Sequence, residues 1–312
     1  MAELFKREKK HKGCFIAIAV LVGVVWAVFV LLVIAFFSVR QEAEQGDDKS
    51  QAILSFIYKH GLGVPKNGEK AVEWCRKSAE QGNFESQFDL GIWYMEGKYV
   101  QKDEEEAIKW LTMSAEQGYL YAQLELGLFY RQDQGVYQNY EESVKWFRKA
   151  AEQGNDDAQY LVGYAYRSGE GVTQDYVEAV KWFRKAAEQG QANAQQYLGF
   201  CYERGQGVAQ DYDEALRWYR KAAKQGDVAA QNNIGCCYYN GWGVSQDYKE
   251  AVKWYRKAAE KGDAVGQYNL GRCYEEGEGV AQDSVEALKW FRMSAEQGDE
   301  DAQEAVERLS KN

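Results

Sequence analysis

The chain has 312 residues and a formal net charge of −10 at pH 7, and it contains one proline and two histidines. So few histidines leave few groups for general acid–base catalysis or metal binding. An acidic surface also repels a phosphate backbone. We therefore expect no cofactor and no nucleic-acid partner.

The amino terminus combines a basic tail with a long uncharged segment. Residues 1–13 contain five basic and two acidic side chains, and the 24 residues from Cys14 to Phe37 carry no charge. At about 1.5 Å per residue, a helix of this length spans a hydrocarbon core. We predict a cytoplasmic tail over residues 1–13, a transmembrane helix over residues 14–37 and a juxtamembrane segment over residues 38–46.

The flanking charges favour one topology for this segment. Basic residues precede it, whereas Arg40 is the only basic residue close behind it, so the positive-inside rule leaves the amino terminus in the cytoplasm and the rest periplasmic or exoplasmic. The alternative is a cleaved secretory signal, but the apolar run exceeds the usual length of roughly 7–15 residues and no small-x-small site follows it. Ala19, Gly23 and Ala27 lie four apart, a spacing compatible with self-association of the helix but common by chance.

From residue 47 onward the sequence repeats with a period of 36 residues. A tryptophan, a tyrosine and an Ala-x-x-Gly glycine recur at this spacing, as in Trp146 and Trp182 or Tyr130 and Tyr166. Apolar residues at three- and four-residue spacing predict two amphipathic helices in each unit. Because so short a helix pair cannot bury its own apolar faces, the units must stack. We predict seven repeats over residues 47–298 and a capping helix over residues 299–312.

Each unit carries signals for the ends of its helices. A Gly-x-Gly-Val connector, as at Gly169 to Val172, suits a left-handed helix end, and no strand precedes it as a phosphate-binding loop would require. Asp175 with Glu178 predicts a capping box, in which the cap oxygen and the returning carboxylate both satisfy backbone amides. We interpret these recurring carboxylates as structural. In the first unit, residues 65–68 replace the usual cap.

A glycine also recurs inside the first helix of every unit except the first, where Ser55 replaces it. In a helix interior, glycine costs about 1 kcal/mol relative to alanine. Its recurrence in phase predicts close approach of a neighbouring helix at Gly163, Gly199, Gly235 and Gly271. We expect the repeated tryptophans and tyrosines to fill the space between helices.

Three cysteines occupy one position in successive units. Stacked helices lie about 9–10 Å apart, beyond the roughly 7 Å limit for the Cα atoms of a disulfide, so Cys201, Cys237 and Cys273 are predicted to be buried and reduced. The scarcity of histidine and the lack of a close Cys-x-x-Cys pair argue against a metal site.

Together these motifs resemble the Sel1-like repeat, a relative of the tetratricopeptide repeat. The shared marks are an Ala-Gln pair and a Leu-Gly step in the first helix, the Gly-x-Gly-Val connector, and Glu-Ala-Val-Lys-Trp in the second helix. The resemblance implies an all-α, right-handed superhelical solenoid that commonly serves as an adaptor in assembly, envelope signalling or host interaction. The sequence departs from cysteine-rich relatives, in which two cysteines of each repeat bridge its helices.

By resemblance to tetratricopeptide arrays, the first helices line a concave surface. The inward positions vary between units and carry aromatic, aliphatic and arginine side chains, which favour the centres of interfaces and exposed partner sites. The alternative is that some of these side chains pack between adjacent helices. The predicted partner-binding residues are Phe88, Ile92, Tyr121, Leu124, Leu128, Arg131, Tyr160, Tyr164, Arg167, Phe200, Arg204, Tyr239, Tyr268 and Arg272.

The sequence thus predicts a membrane-anchored bacterial scaffold that binds a protein or peptide. One alternative is a structural organiser that self-associates through the membrane helix and the edge of the array. A second is a hydrolase, because β-lactamase activity has been proposed for cysteine-rich relatives. The sequence lacks Ser-x-x-Lys, Gly-x-Ser-x-Gly and His-Glu-x-x-His, so we predict that the protein is not an enzyme.

Overall fold

The computed structural model describes residues 34–132 and 138–310, and within those ranges all regular secondary structure is helical. The predicted tail and residues 14–33 of the predicted membrane segment lie outside the described residues. Among the helices that are described, none has the length and apolar character needed to cross a membrane.

Sixteen helices occupy the described ranges, which confirms the predicted all-α fold of helix pairs. Helix α1 covers residues 34–44. The first helices of successive repeats are α2 Asp48–His60, α4 Phe84–Glu96, α6 Leu120–Arg131, α8 Asp156–Ser168, α10 Ala192–Arg204, α12 Val228–Asn240, α14 Ala264–Glu276 and the terminal α16 Glu300–Ser310. The second helices are α3 Gly68–Glu80, α5 Glu104–Glu116, α7 Tyr140–Glu152, α9 Tyr176–Gln189, α11 Tyr212–Lys224, α13 Tyr248–Glu260 and α15 Ser284–Ala295.

The chain forms two compact units, residues 1–126 and residues 127–312, with the boundary inside α6. Each unit has its own core. In the first unit, Leu90, Trp93 and Cys75 are buried together; in the second, Phe183, Leu198 and Cys201 belong to one of several clusters that recur along the chain.

The glycines inside the first helices allow the second helix of the same repeat to approach closely. A Cβ atom added at Gly163 would lie 2.7 Å from Cδ1 of Phe183 and 3.2 Å from the Ala179 carbonyl oxygen. Equivalent contacts join glycine to a large side chain in five other repeats: Gly91 with Leu111, Gly127 with Phe147, Gly199 with Tyr219, Gly235 with Tyr255, and Gly271 with Phe291. The predicted close approach is confirmed.

The second helices are capped as predicted in one respect and differently in another. Oδ1 of Asp175 accepts hydrogen bonds from the amides of Val177 and Glu178 at 2.9 and 3.1 Å, so the cap oxygen is confirmed. The returning carboxylate was a wrong prediction, because the amide of Asp175 donates to the carbonyl of Tyr166 at 2.9 Å. Glu178 instead forms an ion pair with Lys181. In the first repeat, Asn67 supplies the oxygen that caps α3.

The repeated tyrosine links successive repeats through its hydroxyl group. Arg184 on α9 donates from Nη2 to the hydroxyl oxygen of Tyr202 on α10 at 2.7 Å. The same bond joins Arg76 to Tyr94, Arg148 to Tyr166, Arg220 to Tyr238, and Arg256 to Tyr274. This tyrosine is therefore a polar link as well as a space-filling side chain. Of the repeated tryptophans, Trp110, Trp146, Trp218 and Trp290 are buried, and a lysine lies over the indole ring in several repeats.

The five cysteines in the described ranges are free thiols, and four of them are buried. Burial raises the pKa of Cys75, Cys237 and Cys273 to about 12, and that of Cys201 to about 11. Burial disfavours the thiolate in each instance. The predicted burial of Cys201, Cys237 and Cys273 is confirmed, and their reduced state stays a prediction.

Candidate protein-binding face

All fourteen predicted binding residues lie on first helices, and none is fully buried. We call the side of the first helices that carries them the first-helix face. Tyr121 is 58% exposed, Leu128 is 44% exposed and Arg204 is also exposed, whereas the other eleven are half-buried. Because the face is divided between the two compact units, its clusters are described unit by unit.

The first unit carries a cluster of aromatic rings. The ring of Tyr119 lies 5.2 Å from Phe84, 5.2 Å from Phe88 and 5.5 Å from Tyr121. Phe84 and Tyr119 are not among the binding residues predicted from the sequence. Tyr119 stands where Asn83 and its equivalents cap the other first helices, so its departure from the cap pattern was a usable signal. Ile92 on α4 and Leu124 on α6 are half-buried, and as aliphatic residues they do not belong to the ring cluster.

An open groove of about 490 Å³ lies beside this cluster, between α2 and α4. Its exposed apolar lining includes Ile53, Phe56 and Phe84, with exposed fractions of 46%, 52% and 40%. Asp89 and Lys49 lie at the same groove. The first unit therefore exposes apolar side chains on α2 that the sequence pattern did not single out.

In the second unit, three guanidinium groups and three aromatic rings form a continuous row of contacts across α6, α8 and α10. We call this set the arginine–aromatic ladder; in spatial order its members are Arg131, Tyr164, Tyr197, Arg167, Phe200 and Arg204. The guanidinium carbon of Arg131 lies 5.2 Å from the centre of the Tyr164 ring, and the rings of Tyr164 and Tyr197 meet edge to face at 5.9 Å. A guanidinium within about 6 Å of a ring centre is attracted to its face.

The other half of the ladder is centred on Arg167. Its guanidinium carbon lies 5.0 Å from the Tyr197 ring centre and 5.2 Å from that of Phe200. Arg204 contacts the same Phe200 ring at 5.5 Å. Five of the six ladder residues were predicted from the sequence; Tyr197 was missed because it lies two residues before the helix glycine Gly199, outside the offsets considered.

Tyr160 joins the ladder to the core. Its ring lies 5.8 Å from Tyr197, 6.4 Å from Tyr164 and 6.1 Å from the fully buried Phe183. Burial raises the pKa of its phenol to about 12, with the neighbouring Tyr197 as a smaller cause. For this residue, the alternative of packing between helices applies in part, because its ring both supports the ladder and contacts the core.

The three arginines of the ladder differ in how their charge is balanced. Arg131 lies 3.8 Å from a carboxylate oxygen of Glu170, and Arg204 lies 3.1 Å from Glu203. Glu203 is itself buried and accepts a hydrogen bond from the Tyr219 hydroxyl at 2.9 Å. Within the described ranges, Arg167 has no ion pair, and its Nε is buried without an acceptor.

Farther along the second unit, the predicted residues are compensated internally. The hydroxyl of Tyr239 donates to Glu278 at 2.5 Å, and Arg272 pairs with Glu276 at 3.4 Å while lying 5.8 Å from the Tyr239 ring centre. Burial, followed by the Glu278 hydrogen bond, raises the pKa of Tyr239. The ring of Tyr268 packs 5.6 Å from Phe291 in the core. These residues have less unused bonding capacity than the ladder.

The described ranges hold no group of three or more histidine, cysteine, aspartate or glutamate side chains placed to bind a metal ion. The candidate site on the first-helix face is accordingly defined by its aromatic rings and charged side chains.

Comparison with known proteins agrees with this architecture. Seven consecutive segments match the family model described as Sel1 repeat: residues 48–83, 84–119, 120–155, 156–191, 192–227, 228–263 and 264–299. No curated protein is significantly similar to the chain in sequence.

Two crystal structures are similar over most of the chain. One is c5321, a protective antigen of uropathogenic Escherichia coli strains with an SLR fold: it is 40% identical, with a TM-score of 0.73, and the match covers 88% of this chain and 59% of that one. The chain thus spans less than two thirds of that protein's length. The other is a Sel1 repeat protein from Oxalobacter formigenes, 33% identical with a TM-score of 0.68, for which the match covers 88% of this chain and 79% of that one.

Proposed function

Because the chain belongs to the Sel1 repeat family, whose members are generally non-enzymatic protein-interaction scaffolds, we propose that it binds a partner protein or peptide on its first-helix face. The observation that carries this proposal is the arginine–aromatic ladder of the second unit. Its side chains are half-buried or exposed, and they stand at positions where the repeats differ from one another.

The side chains that the repeats share are used within the stack. The helix glycine receives a large side chain of the second helix, and the repeated tyrosine accepts a hydrogen bond from the preceding repeat. The buried glutamine of the first helix, such as Gln159, donates to the carbonyl of Ala151 in the preceding repeat at 3.1 Å. Such residues hold neighbouring repeats together and leave recognition to the positions that vary.

The composition of the ladder suits a contact centre. Tyrosine and arginine are enriched among the residues that contribute most to binding, because each combines a large apolar surface with hydrogen-bonding groups. The ladder side chains are already ordered by ring and guanidinium contacts, so they lose less conformational freedom when a partner arrives. Exposed Leu128 adds apolar surface on α6.

Selection from a random peptide display library tests the proposal. The full chain is the bait, and enriched peptides are then measured against a variant carrying Leu128→Ala, Tyr160→Ala and Tyr164→Ala. We expect this triple variant to lose most of the affinity, while circular dichroism still reports a helical array.

The control variant changes three exposed apolar residues of the second helices, so it matches the first variant in the number and apolar character of the residues removed. Val177, Val285 and Met293 are exposed by 52%, 79% and 38%, and their combined change to alanine leaves the first-helix face intact. We expect it to bind the peptides as the unmodified chain does. If the two triple variants bind alike, the proposed location of the binding site is wrong.

We also propose that residues 14–37 anchor the protein in a membrane and that the repeats lie on its periplasmic or exoplasmic side. The support is the uncharged length of this segment and the basic residues before it. Protease added to intact spheroplasts is expected to digest the repeats while the chain remains in the membrane after carbonate extraction. A secreted chain whose mass lacks the segment would instead identify a cleaved signal.

A further inference from the structure

We propose that the partner segment recognised by the arginine–aromatic ladder is an acidic peptide, with a carboxylate that binds Arg167. This inference rests on the proposed function and specifies the partner. It follows from the ladder's unbalanced charge and from the environment of Arg167.

The ladder concentrates positive charge on a chain that is acidic as a whole. The net charge of the chain is −10, yet Arg131, Arg167 and Arg204 lie on three successive first helices and contact one continuous set of rings. Two carboxylates, those of Glu170 and Glu203, form ion pairs with the outer two arginines. The described part of the chain therefore leaves one positive charge of the ladder without an ion pair, and that charge is central.

Aromatic rings hold the guanidinium group of Arg167 in position, but no described group accepts a hydrogen bond from it. The rings of Tyr197 and Phe200 lie about equally close to its guanidinium carbon, at 5.0 and 5.2 Å, and no described side chain accepts a hydrogen bond from its buried Nε. A guanidinium carries five N–H donors in a planar fork that matches the two oxygens of a carboxylate. Among the described residues, the two terminal Nη groups of Arg167 donate no hydrogen bond and, unlike Nε, are not buried, so they are the donors available to such a group.

The surroundings favour a mixed acidic and apolar peptide over a polynucleotide. A polynucleotide requires a basic groove that follows its backbone for several nucleotides. Beyond the ladder, the first-helix face becomes acidic: Glu276 and Glu278 lie around Tyr239. A short segment that places one or two carboxylates on the ladder and apolar side chains beside Tyr164 and Leu128 fits this charge distribution.

The experiment uses the full chain and a display library of random twelve-residue peptides. We expect the enriched peptides to contain more aspartate and glutamate than the input library, and their affinity to fall as salt is raised because charge pairs are screened. Loss of a charge-assisted bidentate bond predicts that Arg167→Gln weakens binding about tenfold. Arg217→Gln removes an equal charge from an exposed position on α11 and is expected to leave binding unchanged.

The outcomes separate this inference from the proposed function. Enriched peptides without an acidic excess, bound equally by the Arg167→Gln and Arg217→Gln variants but lost in the Leu128, Tyr160 and Tyr164 triple variant, would overturn the inference alone. Failure to enrich any peptide, or binding insensitive to both changes on the face, would overturn both. A single-stranded oligonucleotide that displaces the peptides, and whose own binding is lost in the Arg167→Gln variant, would also overturn the assignment of an acidic peptide.

Discussion

The side-chain amide of Gln189, at the end of α9, donates a hydrogen bond to Oε1 of Gln159 on α8 across 2.8 Å. Nε2 of Gln159 in turn donates to Ala151 of the preceding repeat, so one buried amide joins three helices. The same glutamine pair recurs as Gln81 with Gln51, Gln117 with Gln87, Gln225 with Gln195, and Gln297 with Gln267. It is one of the main polar connections within the stack.

The sixth repeat lacks this bond, which predicts a stabilising substitution. Lys261 stands in place of the glutamine, and Oε1 of Gln231 is buried without a hydrogen-bond donor among the described residues. Lys261→Gln restores a donor to that oxygen, and we expect the free energy of unfolding to rise by about 1 kcal/mol. Urea denaturation followed by circular dichroism measures the change.

The reciprocal change provides the control. Gln225 is the equivalent residue one repeat earlier, and Gln225→Lys leaves Oε1 of Gln195 unpaired, at a cost of about 1–3 kcal/mol. Lys261 also favours the ionised form of Asp227, so Lys261→Gln is measured in the Asp227→Asn background as well. Equal stability of the Lys261→Gln variant and its parent in both backgrounds would refute the assigned role of the glutamine pair.

Asp227 predicts a dependence of stability on pH. It caps α12 by accepting from the amide of Ala230 at 2.7 Å, and burial raises the pKa of its carboxyl group above the ordinary value. The native state therefore binds this proton more readily than the unfolded chain does. The partly buried Asp227 carboxylate therefore destabilises the native state when the pH is above its native pKa. This cost is lost as the pH falls through that pKa and the group is protonated. Asp227→Asn keeps the cap oxygen, so we expect higher stability at pH 7 and a smaller difference at pH 4.

Asn155 offers the opposite test at an equivalent cap. Its Oδ1 accepts from the amide of Ala158 at 2.7 Å, and Asn155→Asp introduces a partly buried carboxylate. We expect this variant to be less stable than its parent at pH 7 and to recover as the solution is acidified. A stability difference that is independent of pH for both variants would contradict the explanation by burial.

At Gly163, we predict that a substitution by alanine costs more in packing than it gains in helix propensity. Alanine favours a helix interior by about 1 kcal/mol over glycine, but its Cβ would contact Phe183 at 2.7 Å. We expect Gly163→Ala to lower the free energy of unfolding by about 1–3 kcal/mol because the helices must separate. In a Phe183→Ala background the same change should become neutral or stabilising. Equal costs in the two backgrounds, measured by a double-mutant cycle, would exclude the contact as the cause.

The buried thiols predict slow alkylation in the native state. Cys75, Cys201, Cys237 and Cys273 are almost wholly buried, and burial raises each pKa, so little thiolate is available to react at pH 8. Peptide mapping after brief treatment with iodoacetamide is expected to find these four unmodified, and modified when urea is present. Rapid native modification of Cys201 or Cys237 would contradict the burial.

The features predicted from the sequence are those that local chemistry determines. Periodicity gave the helix pairs, Asp175 gave the cap oxygen, and recurrence of Gly163 gave the close approach. The second half of the capping box failed because the Tyr166 carbonyl, a group on another helix, takes the Asp175 amide. The site was predicted less completely. Tyr197 enters the ladder through contacts with α8, which a rule based on offsets within one helix does not include.

Site-specific photo-crosslinking in cells shows whether a partner protein contacts the first-helix face. A photoreactive phenylalanine analogue is placed at Tyr164 on the first-helix face or at Val177, which is 52% exposed on a second helix. We expect a discrete protein adduct from position 164 that is absent from position 177 and lost when Arg167→Gln is added. The same adduct from both positions, or an adduct from position 177 alone, would contradict this expectation.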